Sequence, residues 1–153
     1  MSRYVVVVRT PRTPQAAFAY MADLRNFAEW DPGVTRVTQV EGSGGGPDSS
    51  FDVAVKSGRG ELVLRYVTKQ YDEPHVDEPG VLVIEARSRM LTSIDRITVD
   101  GSATGCHVTY DAELKLNGAL RWADFALKPV FKRIGERAAK GLTAALSGEV
   151  VGS

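Results

Sequence analysis

Cysteine is nearly absent from this chain. Cys106 is the only one in 153 residues, which excludes an internal disulfide and any cysteine-based metal cluster. The two histidines are as uninformative: His75 lies in an acidic, proline-rich loop and His107 alternates outward on a strand. No His-x-x-x-His spacing, Asp-His pair or nucleophile elbow is present, so metal-assisted hydrolysis and triad catalysis have no support. No metal and no cofactor are expected. Long apolar runs are also missing. The longest purely aliphatic stretch is Val5 to Val8, far short of the roughly 20 residues that span a bilayer. It is too short for a secretory apolar core and lacks a cleavage site, so the chain is expected to be cytoplasmic.

Excess charge of either sign is lacking. Nineteen basic residues balance nineteen acidic ones, so no net field favours a nucleic-acid partner. Basic residues near the carboxyl end (Arg121, Lys128, Lys132, Arg133, Arg137, Lys140) alternate with apolar ones. They form either a solvated helix face or a surface touching anionic lipid, without stable membrane insertion. The glycine-rich piece Gly42–Asp48 lacks the Gly-Lys-Ser/Thr ending of a phosphate loop and is read as a flexible strand connection. No composition shift or repeat divides the chain. Residues 1–153 are expected to be one domain, long enough to bury about 70% of the unfolded surface.

What is present is a clear order of elements. A valine-rich strand, Tyr4 to Thr10, precedes a helix that Thr13 can cap and Pro14 can begin. Phe18, Met21, Ala22, Leu24, Phe27 and Trp30 recur at helical spacing, and Pro32-Gly33 stops the segment. Alternating strands follow. Phe51, Val53 and Val55 share one face; so do Leu62, Leu64 and Tyr66, and so do Leu82, Ile84 and Ala86. The last strand carries Cys106, Val108, Tyr110, Ala112, Leu114 and Leu116 on one face. Such alternation gives an antiparallel sheet with one covered side. The cover is the segment from Ala119 to about Gly148, where Leu127, Phe131, Ile134, Ala138, Leu142 and Ala145 form an apolar stripe. Pro129 should start or kink that helix, with Leu120, Trp122 and Phe125 before it in a lid-like turn.

This order, with the run Ala22-Asp23-Leu24-Arg25-Asn26-Phe27-Ala28-Glu29-Trp30-Asp31-Pro32-Gly33-Val34, resembles the polyketide cyclase/dehydrase branch of the START-like (SRPBCC) superfamily. The resemblance covers nearly the whole chain. It implies an α+β helix-grip fold: a seven-stranded curved antiparallel sheet around a long carboxyl-terminal helix. It also implies a ligand cavity between sheet and helix. Candidate lining residues are Phe51, Val53, Val55, Leu64, Tyr66, Ile84, Ile97, Tyr110, Ala112, Leu114, Trp122, Phe125, Phe131 and Ile134. The alternative is that these side chains simply close-pack as a core.

Three polar positions are candidates for chemistry: Tyr66, Asp95 and Tyr110. A buried phenol seeks a hydrogen-bond partner. If Ile97 and Val99 point inward, period two sends Asp95 and Ser93 inward too, and a carboxylate there would serve as a general acid or base. If Ile94 and Arg96 take the inner face, Asp95 is a surface charge. Three functions fit: a carrier of a hydrophobic small molecule of lipid, polyketide or isoprenoid type; a polyketide cyclase, aromatase or dehydrase; or an interaction protein with a closed cavity. Either a monomer or a homodimer is compatible. Trp30 is expected to be structural.

Overall fold

The computed structural model describes residues 1–152. Strand β1 (Ser2–Thr10) leads into helix α1 (Pro14–Ala22), a 3-10 turn (Leu24–Asn26) and the short helix α2 (Phe27–Trp30). Six strands follow: β2 (Val34–Glu41), β3 (Ser50–Ser57), β4 (Gly60–Asp72), β5 (Gly80–Arg87), β6 (Leu91–Ser102) and β7 (Gly105–Leu116). A second 3-10 turn (Gly118–Ala123) precedes helix α3 (Asp124–Ala145), and strand β8 (Glu149–Gly152) ends the described chain.

Local chemistry accounts for the helical breaks. Thr13 Oγ1 accepts the Ala16 N–H at 3.1 Å, capping α1 at its first turn. Asp23 then stops that helix, because its carboxylate accepts the Arg25 backbone N–H at 3.1 Å and captures a donor the next turn would need. The expected apolar side is realised: Phe18, Met21, Ala22, Leu24, Phe27 and Trp30 are all buried.

The sheet is antiparallel throughout, in the order β2-β3-β4-β5-β6-β7-β1-β8. It has eight strands where the sequence predicts seven. The additional strand forms because Ser147, with φ of 52°, turns the chain back after α3 and lays it on the free edge of β1. Val150 pairs with Val8 there, and Arg9 forms an ion pair with Glu149. Four residues are too short to betray a strand by alternation.

Helix α3 grips the sheet unequally along its length. Its buried residues are Gly135, Ala138, Ala139 and Leu142, all in the second half. Two glycines bring it close to its supports. A Cβ at Gly135 would fall 2.3 Å from the Tyr4 ring, and one at Gly141 would fall 1.7 Å from the Trp30 carbonyl oxygen. Only glycine allows that approach. Pro129 neither starts the helix nor ends it; α3 begins at Asp124 and runs through it. Its missing N–H leaves the preceding turn one bond short.

The Gly42–Ser50 connection is tied down where the composition suggests a free loop. The Gln39 amide donates to Gly44 O and accepts from Gly44 N, both at 2.9 Å, and Ser49 Oγ donates to the same carbonyl at 2.7 Å.

Candidate functional site

The inner face of the sheet is a grid set by register. Tyr66 on β4 lies opposite Ala86 on β5, Ala86 opposite Ser93 on β6, and Ser93 opposite Leu114 on β7. In the next row Thr68 faces Ile84, Ile84 faces Asp95, and Asp95 faces Ala112. The third row holds Leu82, Ile97 and Tyr110. Leu82, Ile84, Ile97, Phe51 and Val53 supply a fully apolar floor.

Two buried hydrogen bonds interrupt that floor. Ala86 is small enough for the Tyr66 side chain to reach across β5, and its hydroxyl shares a 2.6 Å bond with Ser93 Oγ. Tyr110 sits diagonally from Asp95, within reach of an aromatic side chain, and donates its hydroxyl to Asp95 Oδ2 at 2.7 Å. Asp95 therefore faces inward, 4% exposed, while Ile94 and Arg96 turn to the other side.

Burial pushes the Asp95 carboxyl up to about 7; the Tyr110 hydroxyl opposes the shift, and negative charge on Asp31 adds to it. Both phenols are raised for the same reason, desolvation, reinforced by Asp95. Asp31 is half-buried at the end of α2 and is itself raised by burial, although its carboxylate accepts the Gly33 N–H at 2.9 Å. It presses electrostatically on Asp95, Tyr66 and Tyr110 alike. Asp95 and the two phenols thus share one poorly solvated region, within the field of Asp31.

Trp30 covers this group from the helical side. Its ring meets Tyr110 edge-on at 5.4 Å and lies 4.7 Å from Phe27. Among the described residues, three buried side-chain polar atoms have no hydrogen-bond partner: Trp30 Nε1, Thr68 Oγ1 and Ser2 Oγ. Native interiors rarely leave such groups unpaired.

Of the residues singled out by sequence, the structure brings Phe51, Val53, Leu64, Tyr66, Ile84, Asp95, Ile97, Tyr110 and Ala112 together as buried side chains. Val55, Leu114 and Phe131 pack against them, partly buried. Trp122, Phe125 and Ile134 do not join them. Trp122 is 75% and Phe125 70% exposed, and Ile134 also faces outward. The physical reason is helical phase. Trp122 lies in a 3-10 turn with three residues per turn, so a 3.6-residue stripe cannot be carried back through it. Gly135, not Ile134, is the residue turned onto Tyr4.

Sequence reasoning missed Asp31 and Thr68 as parts of the site. Asp31 is disguised by Trp-Asp-Pro-Gly, which reads as a turn. Thr68 was within reach, since two steps of period two from Leu64 through Tyr66 place it on the same face. Elsewhere, surface clefts of about 300 and 340 Å³ lie beside Arg9, Pro11 and Ser147 and beside Arg87, Ile94 and Lys115. Neither is lined by the inner polar residues. No group of three or more metal-ligating side chains stands among the described residues, and no described helix is long and apolar enough to cross a membrane.

Comparison with known proteins fits this geometry. The model of the family described as polyketide cyclase / dehydrase and lipid transport matches residues 1–147. No curated protein matches the chain in sequence. Among solved structures, the Zhui aromatase/cyclase from Streptomyces sp. R1128 superposes with a TM-score of 0.73 at 10% identity, over 95% of this chain and 92% of that one. A STAR-related lipid transfer protein from Xanthomonas axonopodis gives 0.69 at 14% identity, over 95% and 85%. The di-domain ARO/CYC StfQ of the steffimycin biosynthetic pathway gives 0.68 at 11% identity; the chain spans 95% of itself but 50% of StfQ. At such identities the likeness is one of fold: a curved antiparallel sheet around a long helix, of START-like, helix-grip type.

Proposed function

The chain belongs to the polyketide cyclase/dehydrase and lipid transport family, and from that premise we propose that it binds a hydrophobic small molecule between the inner sheet face and α3. The observation that carries this reading is the asymmetry of the helix. Its second half is seated on β1 and α2, while its first half contributes no fully buried residue. The sheet opposite presents an apolar floor with a single polar cluster, the composition that small-molecule sites favour. Ala112 lies beside Asp95 on that floor, so Ala112→Trp narrows the space at its centre. Wild type should take up an environment-sensitive acyl probe and Ala112→Trp should not, while both unfold cooperatively. Failure of wild type to bind any hydrophobic probe, at any chain length, removes the reading.

One observation favours an enzyme of the cyclase, aromatase or dehydrase kind as a second reading. Asp95 is held near neutrality beside a phenol, where a carboxyl can both take up and release a proton. In that role Asp95 would move a proton at a carbon or oxygen of the bound chain, and Tyr110 and Tyr66 would orient its oxygen atoms. The shape of the pocket would fold the chain. Turnover that Asp95→Asn or Tyr110→Phe abolishes at unchanged affinity would select this reading over a carrier.

A further inference from the structure

We propose that the inner polar cluster selects ligands by charge, accepting the uncharged oxygen of an alcohol or ketone at the end of an apolar chain and rejecting a carboxylate. This rests on the ligand-binding reading above and specifies the ligand class of that same site. Three observations carry it, each independent of the others.

The first is the sign of the buried charge. The buried polar side chains of the described residues are serines, threonines and Asp95; no lysine, arginine or histidine is among them. Asp31, half-buried at the end of α2, adds negative charge that Asp95 feels. A carboxylate entering here meets like charge without a counter-ion, in a region where desolvation already disfavours ionised acids.

The second is the set of unpartnered atoms. Thr68 Oγ1 is buried in the same row of the grid as Asp95, and Trp30 Nε1 is the buried donor of the ring that meets Tyr110 edge-on. Ser2 Oγ, opposite Leu114 in the row of Ser93, is the third. An indole N–H can only donate and a hydroxyl can donate or accept. Thr68 Oγ1 and Trp30 Nε1 are each left able to donate to an oxygen acceptor. An ammonium group would suit the acids but leaves Trp30 Nε1 unpaired, since both are donors.

The third is that the two phenols are already engaged. Tyr110 donates its hydroxyl hydrogen bond to Asp95, and Tyr66 shares one with Ser93. Neither is free to neutralise an incoming charge, whereas Ser93 and Asp95 retain lone pairs that can accept from an alcohol.

The test is displacement of Nile red, an uncharged probe, from the intact protein at about pH 8 by decanol, a decanone, decanoate and decylamine. Decanol and the decanone should displace at concentrations at least about tenfold below decanoate, a difference of about 1.4 kcal/mol. Asp95→Asn should narrow that ratio by improving decanoate. Thr68→Val deletes a hydroxyl that makes no hydrogen bond among the described residues, so the variant should still unfold cooperatively and should weaken decanol and the decanone severalfold relative to Nile red. Decanoate or decylamine binding as tightly as decanol would overturn the proposal, as would Thr68→Val without effect on either neutral ligand. Uptake of Nile red with no preference among head groups sinks this inference alone. No uptake of Nile red removes the binding reading itself and this proposal with it.

Discussion

Tyr110 and Asp95 are two residues out of step across the β6–β7 ladder, yet the phenol reaches back and donates a hydrogen bond to the carboxylate at 2.7 Å. The pair is sealed by Trp30 edge-on to the Tyr110 ring, and Trp30 is in turn fixed by Gly141 of α3 against its carbonyl. A single line of contact thus runs from the helix backbone to the buried acid. Perturbing any member should be read at the others.

Tyr110→Phe keeps the ring and removes the proton donor. That hydroxyl is the one influence that lowers the Asp95 carboxyl, so its loss should raise the Asp95 pKa above about 7. Carboxyl-carbon NMR across the titration reads this directly. A midpoint that stays in place or falls would show that the bond is not made in solution.

Stability should fall as pH rises across the neutral range. Asp95 has an ordinary value of 3.8 and is raised to about 7 in the fold, so between the two the folded state keeps a proton the unfolded chain has lost. The contribution is fully present below about 4 and is lost as pH passes through about 7. It amounts to roughly 4 kcal/mol at most, by the conversion of pKa shift to free energy. Asp31 is shifted in the same direction. Denaturant midpoints at pH 5.5 and 8 should therefore differ in wild type, and the difference should shrink strongly in Asp95→Asn. A wild-type midpoint that is flat, or higher at pH 8, contradicts a buried Asp95.

The fold was legible because its signals are local and repeated. Capping at Thr13, the apolar spacing through Trp30 and the alternation of β7 each dictate an element by themselves. The inward set of the sheet followed from period two, and it correctly included Tyr66 and Tyr110. What the sequence withheld depends on phase and on distance. Both phases of β6 contain apolar residues, so only packing decides that Asp95 and Ile97, not Ile94 and Arg96, face the core. Trp122 lies in the 3-10 turn, outside the phase of α3, and Phe125, inside α3, faces away from the side that buries Ala138 and Leu142. Asp31 joins Asp95 through the tertiary fold, across more than sixty residues, so no spacing announces it. β8 is decided by a free edge on β1, which becomes visible only when the sheet is assembled.

Gly141→Ala should destabilise, against the ordinary helix preference for alanine of about 1 kcal/mol. The new methyl would fall 1.7 Å from the Trp30 carbonyl oxygen, which belongs to a backbone that cannot swing away. A loss of about 3 kcal/mol is expected, the upper part of the usual cost of overpacking. Denaturation by urea reads it. An unchanged or higher midpoint would show that α3 does not touch α2 at this point.

Trp30→Ala should cost about 3–5 kcal/mol, since it empties a site filled by a large buried aromatic. Trp30→Phe keeps part of the contact with Tyr110 and removes the unpartnered indole N–H. It should cost clearly less than the alanine. If both changes shift the midpoint by under about 1 kcal/mol, Trp30 is not part of the core.

Trp122 and Phe125 should matter for ligand traffic and not for stability. Both are largely exposed and stand before Pro129, in the stretch where the helix has no buried anchor. Surface side chains of this kind seldom change stability by more than about 0.5 kcal/mol, so the double replacement Trp122→Ala with Phe125→Ala should unfold at the wild-type midpoint. Pro129 removes a backbone bond from the turn that carries them, which lets that turn move while the second half of α3 stays seated on β1. If this turn is the movable side of the entrance, the double variant should change the rate of acyl-probe uptake severalfold at nearly unchanged equilibrium affinity. Stopped-flow fluorescence separates the two quantities. Equal uptake rates in wild type and variant would place the entrance elsewhere, and a large fall in stability would mean that these aromatics pack against the sheet.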